Sequence, residues 1–385
     1  MINITDKSKC CGCTACMAVC PKQCISMQQD EEGFFYPVVD EMSCIDCGLC
    51  EKVCQYLHHS PRREPIEVVA AKSEDVPMRL ASSSGGIFTM LAEAVIKQQG
   101  VVFGVRFDEN WNTVHDCVET VDDLAAFRGS KYLQSDMRDC YVRAKRILDT
   151  GRLVLFTGTP CQIMGLKNFL RKDYDNLLAV DVICHGVPSP KVWQKYLDET
   201  ITRESTDCKV DSVNFRDKRQ GWRKFSMTIC LTSGKSTDMQ EISSTFGKNT
   251  YMQAFLTDLS LRPSCFGCQA KAGMSGSDLT IGDYWGIGKV LPGFDDDTGA
   301  SVVIAYTEKG KDLLGKLDCN SRPTSFDAAL RNNQAIISSV KKPVYRDYFF
   351  KRFMKTGSFH RALNDTTSTA VAKRLRRLVY RKIGL

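Results

Sequence analysis

Two copies of one cysteine spacing lie within the first 57 residues of the chain. Each copy reads C-x-x-C-x-x-C-x-x-x-C, with Pro21 directly after the first copy and Gln55 directly after the second. Residues 1–57 hold ten of the 19 cysteines but little apolar mass from which a core could form. Such a segment needs a stabilising element other than hydrophobic burial. The cysteines must therefore organise its fold.

The spacing predicts two 4Fe-4S clusters. Three close thiolates bind one iron-sulfur cube, and the fourth, one helical turn further on, reaches the other cube. We expect cluster 1 to be bound by Cys10, Cys13, Cys16 and Cys54, and cluster 2 by Cys20, Cys44, Cys47 and Cys50. Zinc is the alternative, although zinc fingers lack the interleaved third cysteine. Cys11 and Cys24 are expected to be unligated. The segment resembles bacterial two-cluster ferredoxins, which implies that it relays single electrons.

The composition favours a cytoplasmic protein. The chain is 43% hydrophobic and 25% charged, as in ordinary globular proteins, and it shows neither a signal-peptide pattern nor an apolar run of about 20 residues. The net charge of +7 is concentrated in the last 15 residues, which hold six Lys or Arg, so we predict no nucleic-acid partner. This basic tail suits an anionic membrane surface or an acidic partner, with a solvated terminal helix as the alternative.

The pattern changes after the cysteine-rich segment. A polar stretch at residues 58–65, HHSPRREP, is interpreted as a linker. From 66 to 345 short β-branched runs alternate with longer helical periods, as in βα units. We therefore predict a small ferredoxin domain (1–57) followed by an α/β body with a mixed, partly parallel sheet. The body has an amino-terminal part (66–150) and a carboxyl-terminal part (151–345), and a basic helical tail (346–385) follows it.

Four further cysteines have the positions expected of ligands. Cys161 and Cys184 each follow a predicted strand, and the carboxyl ends of neighbouring parallel strands meet at one edge of a sheet. Cys161 also falls in the first turn of a helix, where the dipole favours thiolate. Cys265 and Cys268 form a C-x-x-C in a loop. These four could bind a third 4Fe-4S cluster or zinc, or could be redox-active or unligated thiols.

Six motifs carry a resemblance to a known family. They are GSKYLQS (129–135), LFTGTPCQIMGLKNFL, VDVICHGVPSP, VNFRDKRQGW, RPSCFGC and SDLTIGDYWGIG, in this order. With the amino-terminal segment they resemble the coenzyme F420 hydrogenase/dehydrogenase beta-subunit family fused to a two-cluster ferredoxin. The resemblance implies a body that binds FAD and a 4Fe-4S cluster and exchanges electron pairs with an organic acceptor. One position departs from the pattern: Ser275 stands where a basic residue is expected, and Lys271 is nearby.

A flavin fits this picture because one-electron clusters reach a two-electron substrate through a cofactor that handles both. The candidate flavin-binding residues are Ser83, Ser84, Gly85, Gly86, Ser130, Lys131, Tyr132, Thr157, Gly158 and Thr159. The first four open a helix whose amides could hold a pyrophosphate, although a plain helix cap is as good an interpretation. Lys131 could neutralise phosphate or flavin charge, or be a solvated lysine, and Tyr132 could stack on the ring. The chain has no G-x-G-x-x-G fingerprint for a nicotinamide cofactor.

Two residues are candidates for chemistry at the acceptor. His185 is a candidate proton donor, and Asp283 could line the flavin or acceptor site or be a buried capping residue. The leading hypothesis is a flavin and iron-sulfur oxidoreductase that takes electrons from a reduced carrier or partner protein. Its acceptor would be coenzyme F420 or another small organic molecule. The alternatives are an electron-transfer subunit without a substrate site and a metal-stabilised binding module.

Overall fold

The computed structural model describes residues 1–58, 61–204, 208–233 and 239–368. Two residues of the predicted linker, 59 and 60, lie outside these ranges. So does everything after residue 368, including the basic stretch for which a membrane surface or an acidic partner was predicted. No helix in the described ranges has the length and apolar character needed to cross a membrane.

The amino-terminal segment is built from short elements. Helices α1 (Ala15–Val19) and α2 (Leu49–Lys52) flank a hairpin of β1 (Ile25–Gln29) and β2 (Phe35–Val39), whose strands pair antiparallel. Its apolar residues are few, and six cysteines supply part of the small cluster formed with Ile2 and Ile25. This is the ferredoxin-like arrangement predicted from the cysteine spacing.

The body is organised by one eight-stranded sheet. Its order is β13-β3-β12-β11-β7-β6-β4-β5. The strands are β3 (Glu67–Ser73), β4 (Val101–Phe107), β5 (Thr113–Val118), β6 (Val154–Gly158), β7 (Leu177–Val182), β11 (Leu279–Asp283), β12 (Ser301–Ala305) and β13 (Cys319–Pro323). The four central strands β4, β6, β7 and β11 are parallel, and the outer pairings are antiparallel. The predicted mixed, partly parallel sheet is confirmed.

A smaller sheet and the helices complete the body. Strands β8 (Cys208–Asp217), β9 (Ser226–Ser233) and β10 (Met239–Thr245) form an antiparallel meander. The helices of the body are α3 (Val76–Ala81), α4 (Ile87–Ile96), α5 (Cys140–Asp149), α6 (Pro160–Leu170), α7 (Pro190–Glu204), α8 (Thr250–Leu256), α9 (Ile287–Val290), α10 (Glu308–Gly315), α11 (Phe326–Leu330), α12 (Arg346–Thr356) and α13 (Phe359–Thr367). Short 3-10 helices lie at Lys7–Lys9, Asp122–Phe127, Pro263–Gly267 and Gln334–Ile336.

The helices that follow β6 and β7 begin as the sequence predicts. Thr159 is the N-cap of α6, and its backbone N–H donates to the Gln162 side chain at 2.9 Å. Ser189 precedes α7, and its hydroxyl accepts from the Val192 N–H at 3.2 Å. Both caps fix the chain directly at the carboxyl ends of two neighbouring parallel strands. They therefore hold the polar loops of this sheet edge in place.

Residues 346–367 belong to the packed body although they fall in the predicted tail. Helices α12 and α13 bury Phe349 and Phe359 in the same apolar cluster as Trp193 of α7 and Tyr251 of α8. The many charged residues around these phenylalanines gave the segment a polar composition. Its aromatic face is what anchors it, so the structured chain extends beyond residue 345.

Candidate functional site

The thiols of the first cysteine set, Cys10, Cys13, Cys16 and Cys54, lie near one another. Burial raises the pKa of the Cys16 thiol, and the negative charges of its three neighbours, Cys13, Cys10 and Cys54, raise it further. Burial likewise raises the pKa of Cys54, with contributions from Cys13 and Cys10. Thiols that interact in this way are within reach of one another. Cys54 of the second repeat, the fourth ligand predicted for cluster 1, is thus near thiols of the first repeat.

The second set lines a small cavity of its own. Its lining includes all four predicted ligands and one additional cysteine: Cys20, Cys24, Cys44, Cys47 and Cys50. Backbone N–H groups of Ile2 and Asp46 donate to Cys50 Sγ at 3.3 Å and Cys44 Sγ at 3.4 Å. Hydrogen bonds of this kind tune the potential of an iron-sulfur cluster. Cys24 Sγ lies 3.4 Å from Cys20 Sγ, so the residue predicted to be unligated borders the same position.

The four body cysteines are also brought together, and we call them the third cysteine set: Cys161, Cys184, Cys265 and Cys268. Strands β6 and β7 pair in parallel, which places Cys161 and Cys184 at the same sheet edge. The C-x-x-C reaches this edge because Pro188 pairs with Leu261 and the Val187 N–H donates to Cys265 Sγ at 3.4 Å.

The thiols of the third cysteine set influence one another's pKa. Burial raises the pKa of Cys184, the positive charge of Lys271 lowers it, and the other three members raise it. Burial also raises the pKa of Cys268 to about 12, again with contributions from other thiols of the set. The Lys271 ammonium donates to the Cys184 carbonyl oxygen and, at 2.7 Å, to that of Ala335. Ser275 stands where the family pattern has a basic residue. Lys271, the basic residue closest to it in the sequence, therefore contacts the third cysteine set.

The candidate ligands of the three sets are all of one residue type. Within the described ranges, no three His, Cys, Asp or Glu side chains converge where one metal ion would bind. A 4Fe-4S cluster takes one thiolate at each of its four irons, so its ligands surround a cube. All twelve candidate ligands are cysteines, the ligand type that such clusters use.

A large cavity borders the third set. Its volume is about 700 Å³, within the range of cofactor and ligand sites. The lining includes most of the predicted flavin and acceptor residues: Ser83, Ser84, Gly86, Ser130, Lys131, Tyr132, Thr157, Gly158, Thr159, His185 and Asp283. Cys184 lines the same cavity. Gly85 does not line it, although its N–H donates to the hydroxyl of a lining residue, Ser301, at 3.0 Å.

The amino terminus of α4 is open toward this cavity. Its N-cap, Gly86, has a left-handed φ of 89° and supplies no side-chain cap. Both Gly86 and Ile87 line the cavity, and the Ser83 hydroxyl nearby accepts from the Ser130 N–H at 2.6 Å. An uncapped helix start with donors on one side is an anion-binding arrangement.

Lys131 adds a cation without an acidic partner in the described part of the chain. Its ammonium donates to the carbonyl oxygens of Arg128 at 3.1 Å and Gly129 at 3.2 Å. Burial lowers its pKa to about 7. A lysine with a depressed pKa on the wall of a cavity is a group that an anionic ligand would stabilise.

Asp283 is held by residues that sequence analysis did not assign. Arg216 forms a bidentate ion pair with it, at 2.7 and 3.1 Å, and the Trp222 indole donates to it at 2.9 Å. Arg216 also donates to the Tyr132 hydroxyl at 3.1 Å. Both Arg216 and Trp222 lie in the quoted motif VNFRDKRQGW, but only the fold shows that they meet Asp283. The Asp283 carboxylate is therefore already paired with other residues in the wall of the cavity.

His185 and Cys184 contact different neighbours. The His185 imidazole Nε2 lies 2.6 Å from Asp258 Oδ1, and its ring meets the Phe255 ring edge-on at 5.2 Å. Cys184 interacts with the other thiols of the third set. This separation agrees with the alternation of side chains along an extended segment. Asp258 was not foreseen, because it is 73 residues away along the chain.

Three family models match the chain. The carboxyl-terminal model of the coenzyme F420 hydrogenase/dehydrogenase beta subunit matches residues 151–322, and the amino-terminal model of the same subunit matches residues 68–140. Together these two halves of one subunit match more than half of the chain. The chain belongs to the coenzyme F420 hydrogenase/dehydrogenase beta-subunit family. A 4Fe-4S dicluster domain model matches residues 9–57 of this beta-subunit family member. The predicted family and its iron-sulfur segment are confirmed.

Individual relatives of this family member differ in the activities for which they are named. One subunit of the F(420)H(2) dehydrogenase of Methanosarcina mazei is 23% identical over 200 residues, 47% of this chain and 55% of the relative. The coenzyme F420-dependent sulfite reductase of Methanocaldococcus jannaschii is 26% identical over 168 residues, 43% of this chain and 26% of the relative. The chain thus spans about half, or less, of the length of these curated relatives.

A solved structure of the F420-reducing [NiFe] hydrogenase complex from Methanosarcina barkeri contains a similar chain. It is 16% identical, covers 80% of this chain and 94% of its own length, and has a TM-score of 0.45.

Proposed function

We propose that this protein is an iron-sulfur flavoprotein oxidoreductase that takes electrons from a reduced carrier and delivers them to a small organic acceptor. The observation that supports this best is the shared border between the third cysteine set and the 700 Å³ cavity. When bound, three 4Fe-4S clusters would supply one-electron relay and FAD would supply the conversion to two-electron chemistry. The third cluster and FAD are parts of this proposal.

The cavity offers a place for the pyrophosphate of FAD. The uncapped amides at the start of α4, the Ser130 hydroxyl and the Lys131 ammonium would hold its negative charges. Tyr132 is less free to stack on the flavin than the sequence suggested. Its ring already stacks on Phe255 at 4.7 Å, and its hydroxyl accepts from Arg216. We assign Tyr132 to the shaping of the cavity wall.

His185 is the proposed proton donor to the acceptor. It lines the cavity, and Asp258 holds its imidazole through the 2.6 Å contact. A carboxylate in this position fixes the orientation of the imidazole ring. Asp283 is proposed to act on the cavity shape through Arg216, since its oxygens accept from Arg216 and Trp222.

Two small molecules are candidates for the electron acceptor. The relatives named above include a dehydrogenase subunit and a sulfite reductase, both linked by name to coenzyme F420. Coenzyme F420 is therefore one candidate acceptor or donor, and another small organic molecule is the second. Partner subunits belong to the proposal as well, since one relative is itself named as a subunit.

Anaerobic purification with iron, sulfide and flavin analysis tests the proposal. We expect about 12 iron atoms per chain, four for each cluster, and one FAD. Cys184→Ala should reduce the iron by about four atoms, whereas Cys230→Ala, in the separate sheet of β8 to β10, should leave it unchanged. A protein with about eight iron atoms and no flavin would overturn the proposal.

A screen of oxidants against the reduced protein tests the acceptor. Fast reoxidation by coenzyme F420 would identify it, and fast reoxidation by another small molecule would assign that class instead. Full loading with no reoxidation by any small molecule would favour an electron-transfer subunit that serves a partner protein.

A further inference from the structure

Arg262 is a fully buried cation between the amino-terminal segment and the body. Its guanidinium donates to four acceptors: Cys10 O at 2.8 Å, Phe35 O at 2.8 Å, Gln134 Oε1 at 2.9 Å and Cys10 Sγ at 3.7 Å. Its side chain also lies against the Tyr36 ring, 4.2 Å from the ring centroid. Its exposed fraction is 0%.

This burial requires a compensating negative charge. An isolated charge in an apolar interior is costly unless it is paired. In the part of the chain that the structure describes, no carboxylate pairs with Arg262, and its oxygen acceptors are all neutral. Its fourth acceptor, Cys10 Sγ, lies 3.7 Å from the Nη2 atom and would become a negatively charged thiolate on binding a cluster.

Arg262 acts on cysteines of two different sets. The guanidinium charge interacts with Cys10, in the first set, through the 3.7 Å contact between Nη2 and Sγ. It also interacts electrostatically with Cys265, in the third set. The Cys265 N–H donates to the Arg262 carbonyl at 3.0 Å, so residue and ligand belong to one turn.

The space between the two sets is filled by ordered polar groups. Cys11 lies within hydrogen-bonding reach of Cys13 of the first set and of Cys161 of the third. The Gln55 amide donates to Cys11 Sγ and to the Cys161 carbonyl, both at 3.0 Å. The first and third sets are therefore in direct contact through the chain. The described contacts of Arg262 include no member of the second set.

We propose that Arg262 is a positioning residue that sets the reduction potentials of cluster 1 and of the third cluster together, while leaving cluster 2 unaffected. This inference rests on the proposed function, because it requires a third cluster. A cluster becomes more negative on reduction, and a fixed positive charge nearby favours that state. Since one guanidinium lies between both sets, the two potentials shift in the same direction when its charge is removed.

A redox titration of the whole protein followed by electron paramagnetic resonance tests the inference. Arg262→Gln removes the charge. Gln134→Glu keeps the guanidinium in place and pairs it with a new carboxylate, so it should act in the same direction. For both variants we expect the ratio of reduced to oxidised form at fixed potential to fall at least tenfold for cluster 1 and the third cluster. For a one-electron couple this is a midpoint lower by about 59 mV. Cluster 2 should keep its midpoint.

Arg346→Gln is the matched control. Arg346 is equally buried at the same junction, where it donates to the Leu261 carbonyl and pairs with Glu32, but its described partners include no cysteine. The substitution should leave all three midpoints unchanged.

The outcomes separate the two proposals. Unmodified protein with only two clusters would overturn both the proposed function and this inference. Three clusters with unshifted midpoints in Arg262→Gln, or an equal shift in Arg346→Gln, would overturn this inference alone. If Arg262→Gln releases iron, the midpoints of cluster 1 and the third cluster in Gln134→Glu decide whether the inference holds.

Discussion

Raising the pH above about 7 is expected to weaken FAD binding through Lys131. In the ligand-free protein, burial lowers the pKa of this lysine to about 7, and its ammonium donates only to carbonyl oxygens among the described residues. A phosphate beside it would favour the protonated form and return the pKa toward the ordinary value of about 10.4. Flavin binding at higher pH must then take up a proton.

The direction and the size of the change in FAD affinity follow from this proton uptake. Below pH 7 the lysine is protonated in both states, so the affinity is independent of pH. Above pH 7 the free protein loses the proton while the complex keeps it, so affinity falls by up to about tenfold per pH unit, or about 1.4 kcal/mol. Partial solvent access to the cavity weakens the interaction of Lys131 with a phosphate, and it therefore narrows the pH range over which the affinity falls.

The assay is a fluorescence titration of flavin-free protein with FAD between pH 6 and 9. Lys131→Met should bind more weakly at pH 6 and lose the pH dependence. Lys131→Arg keeps its charge throughout this range and should bind without the decline. If all three proteins show the same decline above pH 7, Lys131 does not contact the flavin and the reasoning is wrong.

The remaining predictions concern two histidines. Burial lowers the pKa of His115 to about 4, against about 6.5 when unfolded. Its neutral form therefore contributes full stability above pH 6.5, and the free energy of unfolding should fall by up to about 3 kcal/mol as the pH drops to 4. Chemical denaturation should show a flatter profile for His115→Gln, and parallel profiles would contradict this. His185→Asn should slow reoxidation of the reduced protein by the acceptor about 100-fold or more, with Asp258→Asn showing a smaller loss. Stopped-flow absorbance measures both, and unchanged rates with intact reduction by dithionite would exclude the proton-donor role.

The sequence predicts those parts of the site that depend on local spacing. Cys10, Cys13 and Cys16 lie close together in the sequence, so their spacing alone indicates a shared cluster. Cys161 and Cys184 are far apart along the chain, yet both follow parallel strands, and the regular geometry of a sheet makes their meeting predictable. Helix signals such as Thr159 and Ser189 were equally local, and both residues cap the helices as expected.

The parts that sequence analysis missed depend on contacts between distant segments. Arg216 meets Asp283 across 67 residues, and Arg262 meets Cys10 across 252 residues. Neither pairing follows from periodicity, because an arginine in a polar motif is most often solvated. The apolar face of α12 was likewise hidden among charged residues. In each case the partner, rather than the residue type, determines the role.

One difference between the two cysteine repeats nevertheless indicates a contact with a distant segment. Pro21 follows the first repeat and is exposed, whereas Gln55 occupies the same position after the second repeat and is 2% exposed. A proline there would lack the amide that donates to Cys11 and to the Cys161 carbonyl. Cluster binding alone requires only the cysteines, so it gives no reason for the two repeats to differ. The glutamine is explained by the body against which the second repeat packs, and the position where the repeat breaks marks the face that meets the third cysteine set.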